Sequence, residues 1–335
     1  MQTKKKRHLL HAAAALALAL CGLGAAAQPK PYPHKLISMV VPFTAGGPAD
    51  ADARVAQPLL QKQLAQNLIV ENYAGAGGSI GVARVLAQPA DGYTLLMATV
   101  SEPILPPLTL PSIKYKAEDL RLVSQVSYTY LALVTRPGLG VKNLDELLAH
   151  ARNPANKELS YATPGNGSLF HLVSEHFKQQ SGARMVHVPY KGLAPALNDL
   201  MGNQVDVAFL PLAGNVPGLI ASGKVKALGT TSPAGAAPML GLASLNGSGA
   251  ASLKDFVYTV WTGIFVPRKT PEDVVQQLHG AVNALLKGPE YRSFIQESGG
   301  IARDAAQPLD EAARFFAAET QRLRSVFQLV KLEVH

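Results

Sequence analysis

The sequence contains a single cysteine and few charged residues. With one cysteine among 335 residues, no internal disulfide can form. Only 16% of the residues are charged and 47% are hydrophobic, which is the opposite of the balance found in intrinsically disordered chains. The 29 glycines and 24 prolines follow no triplet period, which excludes a fibrous repeat. The length leaves room for two globular domains, each with a core of its own.

Residues 1–27 have the pattern of a secretory signal peptide. A basic start, MQTKKKR, is followed by a short apolar run of Ala, Leu and Gly and then by Ala25-Ala26-Ala27. The run is shorter and richer in alanine than a membrane-spanning helix, so we favour cleavage after Ala27 over a retained anchor. A lipoprotein would instead begin at a lipidated Cys21. Leu20 is larger than the small residue such sites usually carry, so we favour the signal peptide.

The formal net charge of +8 invites a nucleic-acid interpretation, but half of it lies in this predicted leader. Removing Lys4, Lys5, Lys6 and Arg7 leaves 27 basic against 23 acidic residues, a balance of +4. Cys21 leaves with the same segment, which gives a mature chain without thiols, suited to an oxidising compartment. We therefore expect no nucleic-acid partner.

The remaining chain repeats a strand, a glycine-containing loop and a helical segment. Five short runs have this pattern: Leu36–Val41, Asn67–Glu71, Leu159–Ala162, Met185–Val188 and Val205–Leu210. Alternating strands and helices with short loops are typical of α/β folds with parallel sheets. The pattern forms two blocks, which a β-rich stretch at Leu120–Thr135 separates.

Four of the loops are candidates for a ligand site. They are Thr44–Ala49, Gly75–Ser79, Thr163–Ser168 and Tyr190–Gly192. In open α/β sheets, ligands bind beyond the carboxyl ends of the strands, where glycine admits a close backbone approach and helix N-termini favour anions. Each loop alone could simply be a tight turn. Four in corresponding positions favour a site for a carboxylate or phosphate.

Enzyme motifs receive little support. Gly77-Gly78-Ser79-Ile80-Gly81 satisfies G-x-S-x-G, but a nucleophile elbow places its serine directly after a strand, which Ser79 does not do. The spacing of Gly75, Gly77 and Gly81 differs from a dinucleotide loop by one residue. We therefore expect no catalytic residue and no cofactor, and keep a serine hydrolase using Ser79 as the enzymatic alternative.

The histidines do not predict a metal site. His171 and His176 are the nearest pair, and a separation of five residues turns them about 140° apart on a helix. No cysteine or convincing carboxylate accompanies them. We therefore predict that they are core or surface residues.

Several long segments resemble one protein family. They are VVPFTAGGPADADARVAQPL, VENYAGAGGSIG, PADGYTLLMAT, SYATPGNGSLFHLVSEHF, VPYKGLAPALNDLMGNQVDVAF and VWTGIFVPRKTPEDVVQQLHGAVN. In this order they are similar to the periplasmic receptors of tripartite tricarboxylate transporters, often called Bug receptors. The resemblance covers nearly the whole mature chain.

The resemblance implies an α/β fold, a two-domain clamshell of the periplasmic-binding-protein (Venus flytrap) type, each domain a mainly parallel sheet flanked by helices. Domain one would comprise residues 28–130 and 233–335, and domain two residues 131–232. It also implies a monomeric, non-enzymatic periplasmic receptor. Such a receptor captures a dicarboxylate, an aromatic carboxylate or an amino acid and delivers it to membrane permease subunits. A sensor that signals ligand occupancy would use the same domains and stays open as an alternative.

The resemblance further implies that backbone amides of the four loops hold the ligand carboxylate. Carried over by motif, and with Thr99 and Phe209 added, the predicted ligand-binding residues are Phe43, Thr44, Ala45, Gly46, Gly47, Asp50, Gly75, Ala76, Gly77, Gly78, Ser79, Thr99, Thr163, Gly165, Asn166, Gly167, Ser168, His171, Tyr190, Lys191, Gly192 and Phe209. Phe209 is an aromatic residue that could lie in the core as well as in the pocket. Lys191 is the only cationic side chain in the loops, so backbone dipoles are expected to provide most of the anion binding.

Two loops depart from the family pattern. Thr44-Ala45 replaces a proline that usually precedes the two glycines, which adds a backbone N–H and a hydroxyl. Tyr73-Ala74 stands where an Arg-Pro or similar pair is common, so a basic side chain is replaced by an aromatic one. These departures predict a changed ligand preference within the same class of protein.

Overall fold

The computed structural model describes residues 31–45, 48–236, 240–247, 253 and 255–332. The elements described below belong to one compact unit, Lys35–His335. The predicted signal peptide with Cys21 lies outside the described residues, as do the predicted site residues Gly46 and Gly47.

The first block is a parallel β-sheet layer with helices in its connections. Its elements are β1 (Ile37–Val41), α1 (Pro48–Leu64), β2 (Leu68–Asn72), α2 (Ser79–Leu86) and β3 (Thr94–Thr99). Strand β1 lies between β2 and β3 and is parallel to both, so the three carboxyl ends meet at one edge. Proline inside a helix usually kinks or breaks it, but α1 runs unbroken through Pro58.

Two short helices that the sequence pattern did not indicate follow β3, and a long strand comes next. They are α3 (Ser101–Ile104) and α4 (Pro106–Thr109), and the strand is β4 (Leu120–Thr135). The second block then contains α5 (Leu144–Arg152), β5 (Leu159–Thr163), α6 (Leu169–Ser181), β6 (Met185–Pro189), α7 (Leu193–Met201), β7 (Val207–Pro211), α8 (Val216–Ala221) and β8 (Lys226–Thr230). Strand β5 is parallel to both β6 and β7.

The C-terminal part of the chain returns to the first sheet. Its elements are β9 (Thr259–Pro267), α9 (Glu272–Lys287), α10 (Pro289–Glu297), β10 (Ile301–Ala302) and α11 (Leu309–Val330). Trp261 and Phe265 of β9 pack against Phe316 of α11, with ring centroids 6.4 and 5.3 Å away. Helix α11 also packs against α6 of the second block. Within the described ranges, no helix combines the length and the apolar character needed to span a membrane.

Strand β4 belongs to both sheets. The strand order is β2-β1-β3-β9-β4-β7-β5-β6, with β8 and β10 also paired to β4. Residues up to Tyr130 pair with β9, and those from Leu131 onward pair with β7, in both cases antiparallel. The α/β architecture is thus confirmed, but the sheets are mixed because β4 and β9 are antiparallel to their neighbours. The domain boundaries stay a prediction, which the change of partner at Leu131 supports.

Candidate functional site

Hydrogen bonds through a carboxylate and a side-chain amide hold the first loop against the neighbouring strand β2. Asp50, at the start of α1, is 2% exposed, and its Oδ1 accepts a hydrogen bond from Asn72 Nδ2 at 2.9 Å. The same Asn72 amide group donates to the Phe43 carbonyl at 3.1 Å, and Arg54 Nε donates to Asp50 Oδ2 at 2.8 Å. Asp50 therefore shapes this loop, whose predicted contacts Thr44 and Ala45 are exposed.

The second loop contains four consecutive residues with positive φ. The angles are +125° at Gly75, +46° at Ala76, +64° at Gly77 and +87° at Gly78. Glycine adopts such angles freely, but alanine in this region is strained, and strain of this kind concentrates at functional sites. Residues 74–77 are exposed. The loop therefore presents its backbone to solvent rather than to the core.

A buried glutamate lies beneath this loop. A Cβ atom at Gly78 would lie 2.3 Å from Glu102 Cγ, so only glycine fits there. Glu102 Oε2 accepts hydrogen bonds from the Thr99 N–H at 2.8 Å and from Thr99 Oγ1 at 2.7 Å. Burial raises the pKa of Glu102 to about 7, although the hydrogen bonds from Thr99 oppose the shift. Glu102 thus joins the predicted residue Thr99 to the second loop, a role that the sequence did not indicate.

The third and fourth loops are bonded to each other. Ser168 caps helix α6, because its Oγ accepts from the His171 N–H at 3.2 Å and donates to the Gly165 carbonyl at 2.8 Å. The Gly192 N–H donates to the Pro164 carbonyl at 3.1 Å. These bonds place the third and fourth loops side by side at the carboxyl ends of β5 and β6.

The short helix α4 connects the loops of the two blocks. A Cβ atom at Gly77 would lie 3.7 Å from Pro106 Cγ, and one at Gly167 would lie 2.5 Å from Thr109 Oγ1. Pro106 and Thr109 are three residues apart and thus share one face of the helix. The second and third loops therefore meet at α4. Pro42 links the first loop to the second, because a Cβ atom at Gly78 would lie 3.4 Å from Pro42 Cβ.

Two predicted residues lie in a different environment from the loops. Phe209 is 1% exposed and packs in the core with Phe177 and Phe256, at centroid distances of 5.5 and 5.8 Å, so we leave it out of the proposed site. Ser79 is also buried, and its Oγ has no hydrogen-bond partner among the described residues. A serine nucleophile needs a base within hydrogen-bond reach, so this geometry does not support the hydrolase alternative.

The histidines separate as the spacing predicted. His171 stacks on His187 with ring centroids 3.8 Å apart, whereas His176 Nδ1 hydrogen-bonds to Tyr258 Oη at 2.5 Å. In the part of the chain that the structure describes, no group of three potential ligands could hold a metal ion. Sequence reasoning missed His187, whose place beside His171 depends on the pairing of β5 with β6.

Solved structures with this architecture are periplasmic binding proteins. The structure of the periplasmic binding protein BugD is 29% identical to this chain and superposes with a TM-score of 0.78, covering 90% of this chain and 99% of that chain. An R. palustris protein with adipate is 27% identical, has a TM-score of 0.80 and likewise covers 90% and 99%. The fold is therefore that of a periplasmic solute-binding protein.

The family follows from sequence as well. Residues 52–332 match the tripartite tricarboxylate transporter family receptor. The protein BugT of Bordetella pertussis is 35% identical over 298 residues, which cover 88% of this chain and 89% of that protein. The chain belongs to the tripartite tricarboxylate transporter receptor family, as the resemblance of its loops indicated. This is a family of solute-binding receptors, which are not enzymes.

Proposed function

We propose that this receptor captures a small carboxylate-bearing solute between its four glycine loops and delivers it to the permease subunits of a tripartite tricarboxylate transporter. The observation that carries the proposal is the convergence of these loops at the carboxyl ends of parallel strands, with α4 between the two blocks. The similar structure with adipate, a dicarboxylate, supports this class of ligand.

The charges around the loops favour an anion. Asp50 pairs with Arg54, burial raises the pKa of Glu102 to about 7, and Asp199 Oδ2 accepts from Tyr190 Oη at 2.7 Å. Lys191 is exposed and pairs with no described residue. The loops therefore offer a cation while their carboxyl groups are engaged or partly neutral, and a bound carboxylate meets little repulsion.

In the third and fourth loops, two backbone amides remain available as donors to the ligand. Within the described ranges, the N–H groups of Asn166 and Lys191 make no hydrogen bond. The N–H of Gly167 is instead donated to His171 Nδ1 at 3.2 Å. We therefore assign carboxylate contacts to Asn166 and Lys191, and a shaping role to Gly167.

A thermal-shift and calorimetry panel tests the proposal. The mature protein, residues 28–335, is measured with adipate, an aromatic carboxylate, an amino acid and a neutral sugar. A ligand at about 100 times its Kd adds roughly 2.7 kcal/mol to the free energy of unfolding, which is readily detected. We expect a shift from a carboxylate and none from the sugar. Stabilisation by the sugar alone would refute the anion proposal.

Lys191→Ala provides the first variant for this panel. The lysine is exposed, so its attraction to a ligand carboxylate is screened, and we expect adipate to bind about three- to tenfold more weakly, with a smaller dependence on salt. Lys157→Ala, which removes another exposed lysine outside the loops, is the matched control. Equal affinities of the two variants would exclude Lys191 from the site.

Delivery is tested in the producing cell. Deletion of the gene should abolish uptake of the labelled carboxylate that binds in the panel, and the intact gene should restore it. Normal uptake with loss of a transcriptional response to the ligand would instead favour the sensor alternative.

Export is tested separately, because cleavage after Ala27 predicts Gln28 as the first residue of the periplasmic protein.

A further inference from the structure

Two histidine rings stack beneath the third loop. His171 lies in the first turn of α6, and His187 lies on β6 directly opposite Tyr161 of β5. The imidazole rings are 3.8 Å apart at 15°, and the Tyr161 ring lies 4.9 Å from that of His187 at 16°. Neither the family nor its solute-binding role explains why two histidines pack in this way.

Each ring is bonded to a different point of the loop. His187 Nε2 lies 2.7 Å from Thr163 Oγ1, and that hydroxyl also accepts the Gly165 N–H at 3.3 Å. His171 Nδ1 accepts the Gly167 N–H at 3.2 Å. The two rings therefore hold the loop on either side of Asn166, whose own N–H has no described partner.

The backbone hydrogen bond defines one proton position. His171 Nδ1 accepts the Gly167 N–H and so carries no proton. The Thr163 hydroxyl has one proton, and when it donates to the Gly165 carbonyl at 3.2 Å it accepts from His187 Nε2–H, which is the tautomer that the inference assigns. Burial lowers the pKa of His187 to about 4, with a smaller upward effect of Glu175 and a downward one of Lys178. With both rings neutral, the stack is free of charge repulsion.

We propose that His187 and His171 are positioning residues of the ligand site, holding Thr163 and Gly167 so that the Asn166 N–H points to the bound carboxylate. The inference rests on the proposed function. It predicts that replacing a ring nitrogen lowers the affinity for the ligand even when the replacement fills the same space.

Two substitutions at His187 separate hydrogen bonding from packing. His187→Phe keeps an aromatic ring in the stack and removes the bond to Thr163, whereas His187→Gln keeps a polar group near the Nε2 position. With adipate as the probe, we expect His187→Phe to weaken binding about five- to tenfold, the equivalent of one lost hydrogen bond. We expect His187→Gln to bind within about threefold of the unsubstituted protein on the same scale.

His150→Phe, on α5 outside the loops, is the matched control, and circular dichroism checks that each variant is folded. Full affinity of His187→Phe, or equal losses in His187→Phe and His187→Gln, would overturn the inference. If the unsubstituted protein binds no carboxylate, the proposed function fails instead, so the two failures are distinguishable.

A measurement without ligand tests the same geometry. Nitrogen-15 NMR of the imidazole rings at pH 7 should show His171 and His187 as neutral Nε2–H tautomers, and His187→Phe should speed amide exchange at Gly165 more than His187→Gln does. A proton on Nδ1 of His171 would contradict the bond to Gly167 and the inference with it.

Discussion

At the scale of single residues, the candidate site combines strained or buried groups with exposed backbone. Ala76 adopts φ +46° in the second loop, and Glu102 is a carboxyl group 3% exposed beneath it. Both are unfavourable in isolation, because alanine resists left-handed angles and a buried carboxylate loses its hydration. Their position at the loops fits a scaffold that maintains the geometry of the candidate site although this geometry lowers the stability of the fold.

Glu102 makes the stability of the protein depend on pH. Its pKa of about 7 in the folded protein exceeds the ordinary value of 4.5, so the folded protein retains a proton that the unfolded chain releases. The free energy of unfolding should therefore fall as pH rises from about 4.5 to 7 and level off above that range. Asp52, whose pKa burial raises to about 7, adds a slope of the same sign.

Glu102→Gln tests this dependence. The amide oxygen can still accept from Thr99, and the group no longer ionises. We expect the variant to gain up to roughly 3 kcal/mol at pH 8, with little change at pH 4. Urea unfolding at several pH values measures it, with the exposed Glu297→Gln as the control. The same pH slope in the variant and in the unsubstituted protein would show that Glu102 is ionised when buried.

At the scale of elements, local sequence patterns predicted the strands and helices that follow one another in the chain, but not those that depend on non-local packing. The strand, glycine loop and helix of each block are consecutive in the chain, so β1, β2, β5 and β6 with their loops could be predicted from sequence. Helices α3 and α4 could not, because Pro103, Pro106 and Pro107 argue against helix. The antiparallel pairing of β4 with β9 joins residues more than a hundred positions apart, and no local pattern records that pairing.

The contact between the third loop and α4 predicts the effect of Gly167→Ala. The new Cβ would meet Thr109 Cβ at 2.6 Å, and the residue has φ +70°. Gly223→Ala is a matched control, because Gly223 has the same φ of +70° with no atom near the added Cβ. We expect the control to lose about 1 kcal/mol of stability from backbone strain alone.

Gly167→Ala should lose clearly more stability than this control and bind adipate at least tenfold more weakly, because the loop must move away from α4. Urea unfolding and calorimetry on both variants measure the difference. Equal losses of stability together with unchanged affinity would mean that the loop does not need α4 to bind.

At the scale of the whole molecule, the two sheets are coupled by shared elements. Strand β4 contributes Leu122 to the first sheet and Leu133 to the second, and both side chains belong to one hydrophobic core. The same core contains Phe177 of the second block and Trp261 of β9. Because a core shared in this way cannot be lost from one sheet without exposing the other, we expect the chain to unfold as one cooperative unit.

Trp261, the only tryptophan of the chain, allows a direct test. It is fully buried in the first sheet, so its fluorescence reports there, whereas far-ultraviolet circular dichroism reports on both sheets. Leu133→Ala removes buried side-chain volume in the second sheet, with an expected loss of about 2 to 5 kcal/mol. In a cooperative chain the urea midpoints from fluorescence and circular dichroism should coincide and fall together in this variant. If the fluorescence midpoint is unchanged while the circular dichroism transition moves to a lower urea concentration, the two sheets unfold separately. Ligand binding would then couple two halves that are independently stable.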